Sequence, residues 1–113
     1  MHEVSLIESV IALVEEQRRA QDFARVRSIR LQVGALGHAE PASLRFCFDA
    51  VAQGTIAEGA RLMIDVVMGE GRCGACDKHV PLDDRFACCP LCGSHQVRMT
   101  AGDELRLAEL EVE

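Results

Sequence analysis

Cys73-Gly74-Ala75-Cys76 and Cys89-Pro90-Leu91-Cys92, with residues 77–88 between them, decide how the chain is read. Each Cys-x-x-Cys lets two sulfurs of one tight turn reach the same ion, and two such turns complete the tetrahedral sulfur shell that zinc accepts. With sulfur in all four positions no coordination place is left open for a substrate, so the site reads as structural rather than catalytic. Iron in a rubredoxin-like site is the alternative metal, because sulfur ligation alone does not separate the two. Between Arg72 and Met99 the larger apolar residues are few: Val80, Leu82, Phe86, Leu91 and Val97. The metal must therefore supply most of this segment's stability, about 10 kcal/mol for structural zinc at neutral pH.

Cys88 adjoins Cys89, and an extended backbone points neighbouring side chains in opposite directions, so only one of the two sulfurs reaches the ion. Cys89 has the pair spacing. His79 and His95 each follow a knuckle by three residues, after Cys76 and Cys92. They read either as outer-shell or replacement ligands of the metal or as surface histidines in turns.

Working outward, Ser5-Leu6-Ile7-Glu8 fits a capping box, and Ile7, Val10, Ile11 and Val14 follow at helical spacing. A helix is expected from about Leu6 to about Ala20, with Met1 to Val4 preceding it and Glu8, Glu15, Arg18 and Arg19 on a solvated face. Ile29, Leu31 and Val33 alternate with Arg30 and Gln32 up to Gly34, which makes a strand with one wet face. Val26 is out of phase and predicts an irregular start or a bulge. Pro41 suits the first turn of a second helix, with Leu44, Cys47, Phe48 and Val51 on one side and Gly54 as its stop, so Cys47 reads as a core thiol. Thr55 to Glu58 resembles a second capping box limited by Gly59 to one turn. Leu62, Ile64 and Val66 give a second strand. Leu105 and Leu107 continue out of phase as Leu110 and Val112, which predicts a strand with a bulge near Ala108.

The expected fold is α+β: a small three-stranded antiparallel sheet with two helices on one face, plus an inserted zinc-ribbon-like four-cysteine module. Residues 1–69 and 100–113 form the discontinuous α/β domain and residues 70–99 the zinc-binding module, with Gly69, Gly71, Ala101 and Gly102 at the junctions.

The chain has 113 residues, 49% of them apolar, and a net charge of -6, which allows a modest core and disfavours phosphate backbones and anionic membranes. Within residues 70–99, Arg72, Lys78, Arg85 and Arg98 are balanced by Glu70, Asp77, Asp83 and Asp84, and Phe86 is the only aromatic residue. There is neither a basic stripe nor a stacking platform for nucleic acid. Met1-His2-Glu3 is not a signal-peptide opening and no run approaches a membrane span, so the expected location is the cytoplasm. There six cysteines are metal ligands and buried thiols rather than a disulfide framework. No nucleophile and base are paired, and His38 before Glu40 reads as surface, so the chain is not expected to be an enzyme.

At the amino terminus, the large side chain of His2 predicts that Met1 is retained. The Met1 α-amine, the His2 backbone nitrogen and the His2 imidazole can then close adjacent chelate rings, with the Glu3 amide as a further nitrogen. Planar nitrogen ligation of this kind suits Ni(II) or Cu(II).

Together, Met1-His2-Glu3-Val4-Ser5-Leu6, Gly34 after a strand, Pro41 opening a helix, the late pair of knuckles and the terminal Glu111-Val112-Glu113 resemble the HypA/HybF family of hydrogenase nickel-incorporation proteins. The resemblance implies a nickel metallochaperone for maturation of [NiFe]-hydrogenase, and in some bacteria of urease. It implies Ni(II) at Met1 and His2 with Glu3 adjoining, and structural Zn(II) on Cys73, Cys76, Cys89 and Cys92, with His79 and His95 close to it. The implied partners are a HypB-type GTPase and the hydrogenase large subunit, with the chain itself a monomer or weak homodimer. The reading that competes with it is a zinc-ribbon adaptor that works only through protein contacts.

Overall fold

The computed structural model describes residues 2–37 and 39–113, and at His2 the backbone alone. The elements in order are α1 (His2–Gln21), β1 (Val26–Gly34), α2 (Pro41–Ala52), β2 (Arg61–Val67), β3 (Gly69–Cys73), β4 (His79–Leu82), β5 (Val97–Ala101) and β6 (Leu105–Val112). They form two three-stranded sheets, β2-β1-β6 and β4-β3-β5, in a molecule 53 × 27 × 17 Å.

The first sheet carries both helices on one face. Ile7, Val10, Ile11 and Val14 of α1 and Leu44 and Phe48 of α2 share one buried cluster with Ile29, Leu31 and Val33 of β1. Burying each such side chain contributes about 1.5–3 kcal/mol, so this cluster is the main source of stability. The opposite face is wet: Arg30 donates to both carboxylate oxygens of Asp65, at 3.1 and 3.0 Å, and Arg106 to Gln32 at 2.7 Å. The expected bulges are present. Pairing shifts between Val26 and Ser28, and Ala108 is passed over where Arg30 opposes Glu109 and Leu31 opposes Leu107.

Three expectations are corrected. The first sheet is mixed, not antiparallel throughout: β1 runs antiparallel to β6 but parallel to β2. The crossover through α2 returns the chain to the end of the sheet where β1 began, and a strand–helix–strand unit then pairs in parallel. Next, α1 starts at His2, so Ser5 lies inside the helix and accepts the Ser9 hydroxyl on its carbonyl at 3.0 Å. Glu3 in the first turn suits the positive end of the helix dipole. Finally, Gly71 is not at a junction but inside the metal module's own sheet. Gly71 lies within β3 rather than at a break, because a Cβ there would come within 2.7 Å of Leu82 Cδ1 and 2.9 Å of the Arg98 carbonyl.

Two smaller assignments change as well. Cys47 is half-buried rather than a core thiol. Glu15 is not simply solvated: its carboxylate accepts the Ile56 amide at 3.2 Å and so closes the turn after α2.

The sheets meet where β1, β3 and β6 converge. Gly34 N–H donates to the Glu104 carbonyl at 2.7 Å and Leu36 N–H to the Gly102 carbonyl at 2.7 Å. The Glu104 carboxylate accepts its own amide and that of Gly102, the latter at 2.8 Å, and both hold its pKa below the ordinary value. A carboxyl whose folded pKa is depressed adds stability above its unfolded value, near 4.3, and loses it as pH falls through the folded value. Glu104→Gln is therefore expected to lower the urea midpoint at pH 7 and to flatten its decline below about pH 4.3. Urea melts at several pH values check this, and an unchanged acid limb would contradict it.

Candidate metal centre

The two knuckles are built alike. The Cys73 amide donates to the Lys78 carbonyl at 3.0 Å and the Cys89 amide to the Ser94 carbonyl at 2.8 Å. The Cys73 carbonyl accepts from Asp77 at 2.9 Å and the Cys89 carbonyl from Gly93 at 2.8 Å. Asp77 and Gly93, the residues that close each turn, both have left-handed φ, 58° and 77°. Such a turn points its amides inward: Ala75 N–H and Cys76 N–H both donate to Cys73 Sγ, at 3.4 Å.

These turns bring Cys73, Cys76, Cys89 and Cys92 together, with all four sulfurs within 4.8 Å of one another. Cys73 and Cys92 are 3.6 Å apart and Cys76 and Cys89 3.8 Å, outside disulfide bonding and suited to four thiolates around one ion. Cys73 is fully buried, Cys89 nearly so, and Cys92 is the exposed corner.

Electrostatics differ within each knuckle. The amides of Cys76 and then Ala75 lower the Cys73 thiol to about 6, against the opposing effect of burial. Burial acts most strongly on Cys89 and pushes it up, but the Cys92 and Leu91 amides and the neighbouring thiols outweigh it, so its pKa is lowered. Burial, and then the sulfurs of Cys73 and Cys89, raise Cys76 to about 12. For Cys92 the Ser94 amide pulls downward, yet the Cys73 sulfur and burial leave its pKa raised. The first cysteine of each pair is thus shifted towards thiolate and the second away from it. A metal ion takes thiolates and so competes with protons for the sulfurs, and metal capture weakens on acidification. Four thiolates, with no fifth donor among the described residues, suit a divalent ion such as zinc in a structural role.

Cys88 does not join the cluster. Its exposed sulfur lies 3.2 Å from His95 Nδ1, which explains both the adjacent cysteine and the position of that histidine. His95 is directed to Cys88, and His79 is exposed on β4 opposite Arg72, so neither ring belongs to the sulfur group.

At the other end of the chain, Glu3 Oε2 accepts the Glu40 amide at 3.5 Å, which brings the first turn of α1 against the start of α2. Met1, the His2 side chain and His38 lie outside the described residues. The role of Glu40 as a backbone donor was not legible from sequence, since an amide carries no residue-type signal. No described helix is long and apolar enough to cross a membrane.

The fold and the sulfur cluster define a small α+β metal-binding protein with a four-thiolate module carried on a helix-covered sheet. The family described as "Hydrogenase/urease nickel incorporation, metallochaperone, hypA" matches residues 1–112, and the chain belongs to this HypA family of nickel metallochaperones for hydrogenase maturation. It is 72% identical over 113 residues to hydrogenase maturation factor HypA of Methylocella silvestris, with the whole of both chains covered. It is 51% identical over the same span to hydrogenase maturation factor HypA of Azotobacter vinelandii, again covering both chains fully. Among solved structures, a solution structure of HypA protein aligns at 26% identity with a TM-score of 0.75, covering 100% of this chain and 97% of the other. The solution structure of the Ni metallochaperone HypA from Helicobacter pylori shares the fold at 24% identity and a TM-score of 0.73, covering 97% of this chain and 96% of that one.

Proposed function

We propose that this chain binds Ni(II) at its amino terminus through Met1 and His2, with Glu3 adjoining, and hands it on during maturation of [NiFe]-hydrogenase. Cys73, Cys76, Cys89 and Cys92 hold structural Zn(II). The observation that carries the reading is the family match along residues 1–112 of a chain that opens Met1-His2-Glu3. Residues 1–69 with 100–113 act as the nickel-binding domain and 70–99 as the zinc-binding module. The partners are a HypB-type GTPase and the hydrogenase large subunit in the cytoplasm, urease being a further recipient. Binding and transfer are the whole activity, with no catalysed reaction.

The helix start at His2 adds a physical condition. In an α-helix successive amides point along the axis, whereas a planar nickel site needs consecutive nitrogens in one plane around the ion. Nickel capture therefore unwinds the helix at His2, ahead of Glu3. This costs little, because the first amides of a helix donate to no carbonyl within it. Release follows when a partner offers competing ligands.

Nickel titrations of the protein, of His2→Ala and of a form with one residue added before Met1 test this reading. Both variants are expected to lose high-affinity binding, and unchanged affinity in both would sink it. The zinc-ribbon adaptor reading draws on Phe86 and Leu91, which are 89% and 63% exposed on the module. It predicts that His2→Ala leaves function intact.

A further inference from the structure

The segment from Ala35 to Glu40, between β1 and α2, reaches into both halves of the molecule. Leu36 packs on the buried cluster of the thiol module, which includes Cys73, Val80 and Leu82, while Ala39 packs on the helix-covered core. The Leu36 backbone is held from both sides. Its amide donates to Gly102, and its carbonyl accepts Arg85 Nε–H at 3.0 Å. Arg85 comes from the module, between β4 and the second knuckle, and its Nη2 lies 3.6 Å from Asp103 Oδ2. Further along the same segment, the Glu40 amide meets the Glu3 carboxylate. Open clefts of about 270 and 220 Å³ lie beside it, sharing Gly34, Gly37 and Ala39 in their linings.

We propose that Leu36 and Arg85 are positioning residues for the amino-terminal nickel site: the folded thiol module holds Leu36, Ala39 is seated on the helix-covered core, and the Glu40 amide in turn holds the Glu3 carboxylate. This rests on the amino-terminal reading given above. An ion pair as exposed as Arg85–Asp103 contributes little to stability by itself. Its effect is geometric, because one guanidinium fork ties a carbonyl of the segment and a carboxylate of the β5–β6 turn together. Leu36 supplies the apolar anchor. Neither residue touches nickel, so both act through the support of a neighbouring group, the type of contact whose loss costs on the order of 10-fold in metal affinity.

The test uses the zinc-loaded full chain as wild type, Arg85→Met, Arg85→Lys, Leu36→Ala and His2→Ala. The readouts are zinc content, the amide NMR resonances of Glu3 and Glu40 without nickel, and nickel affinity by competition with a chelator. Arg85→Met and Leu36→Ala are expected to keep a full equivalent of zinc, to shift both resonances and to weaken nickel on the order of 10-fold. Arg85→Lys falls between, since an ammonium can reach the Leu36 carbonyl or Asp103 but not grip both as a fork. Unmoved resonances and unchanged affinity in Arg85→Met, alongside lost binding in His2→Ala, overturn the proposal and leave the nickel site standing. Wild-type nickel affinity in His2→Ala overturns the site reading, and the proposal with it. Loss of zinc from both Arg85→Met and Leu36→Ala also overturns it, by showing a general structural role. If Leu36→Ala alone fails to fold, Arg85→Met carries the test.

Discussion

Cys73→Ser is expected to abolish zinc retention and unfold the module from β3 through β5, while the helix-covered sheet stays folded. Cys73 is fully buried and is the thiol that the Cys76 and Ala75 amides favour as thiolate, with its pKa at about 6. A serine hydroxyl is not ionised at neutral pH and is a poor partner for a borderline-soft ion. The remaining buried members of that cluster are Val80, Leu82 and Cys89. Two aliphatic side chains contribute about 1.5–3 kcal/mol each. Ordering the backbone costs about 1–2 kcal/mol for every residue fixed, far more in total over a segment of this length. Four metal–sulfur bonds would make up the difference, so losing one ligand would remove the term that folds the segment. Zinc analysis would show the loss, and amide spectra would show collapsed dispersion for β3–β5 with β1 and β6 retained. A full equivalent of zinc with native dispersion in Cys73→Ser would show that this sulfur is not a ligand.

What could be read from the chain follows how local each determinant is. The knuckles were legible because a turn of four residues sets both sulfur positions, and the two turns close through the same bonds, from Asp77 to Cys73 and from Gly93 to Cys89. The bulge at Ala108 was legible because an inserted residue inverts the alternation of Leu105 and Leu107 against Leu110 and Val112. The parallel pairing of β1 with β2 was less accessible, since alternation gives a strand its faces and not its direction. The sheet within the module was hidden for another reason. Gly69-Glu70-Gly71-Arg72-Cys73 has no apolar alternation, yet its glycines allow β4 and β5 to approach closely. The start of α1 shows a local preference overridden: Ser5 and Glu8 favour a cap, but a helix begun at His2 keeps Leu6 and Ile7 on the core and brings Glu3 to the Glu40 amide. The contact of Cys88 with His95 needs the second knuckle folded, so spacing alone left that histidine between a place near the metal and the surface.

Gly34→Ala is expected to be the most damaging one-carbon change in the molecule, because it falls where the two sheets join. A Cβ at Gly34 would collide with the carbonyl group of Gly102 and lie 2.5 Å from Asp103 N, and all of these are backbone atoms. A flexible side chain could turn aside, but this obstacle moves only if the turn between β5 and β6 moves. That turn has little freedom: Gly102 has φ of 114°, and its own missing Cβ leaves room for Gly69 Cα at 2.6 Å. Gly34 N–H must also reach the Glu104 carbonyl, and Leu36 N–H the Gly102 carbonyl, so separating the strands breaks the bonds that join β1 to β6. Overpacking of this kind costs about 3 kcal/mol, the upper part of its usual range, because the strain cannot be relieved by a rotamer change. The four sulfurs are outside the contact, so zinc content is expected to stay whole while the urea midpoint falls. A midpoint within experimental error of wild type would mean that the strands do not approach this closely in solution. The same separation would carry Leu36 away from the module, so a stable but displaced Gly34→Ala would also move the amide of Glu40.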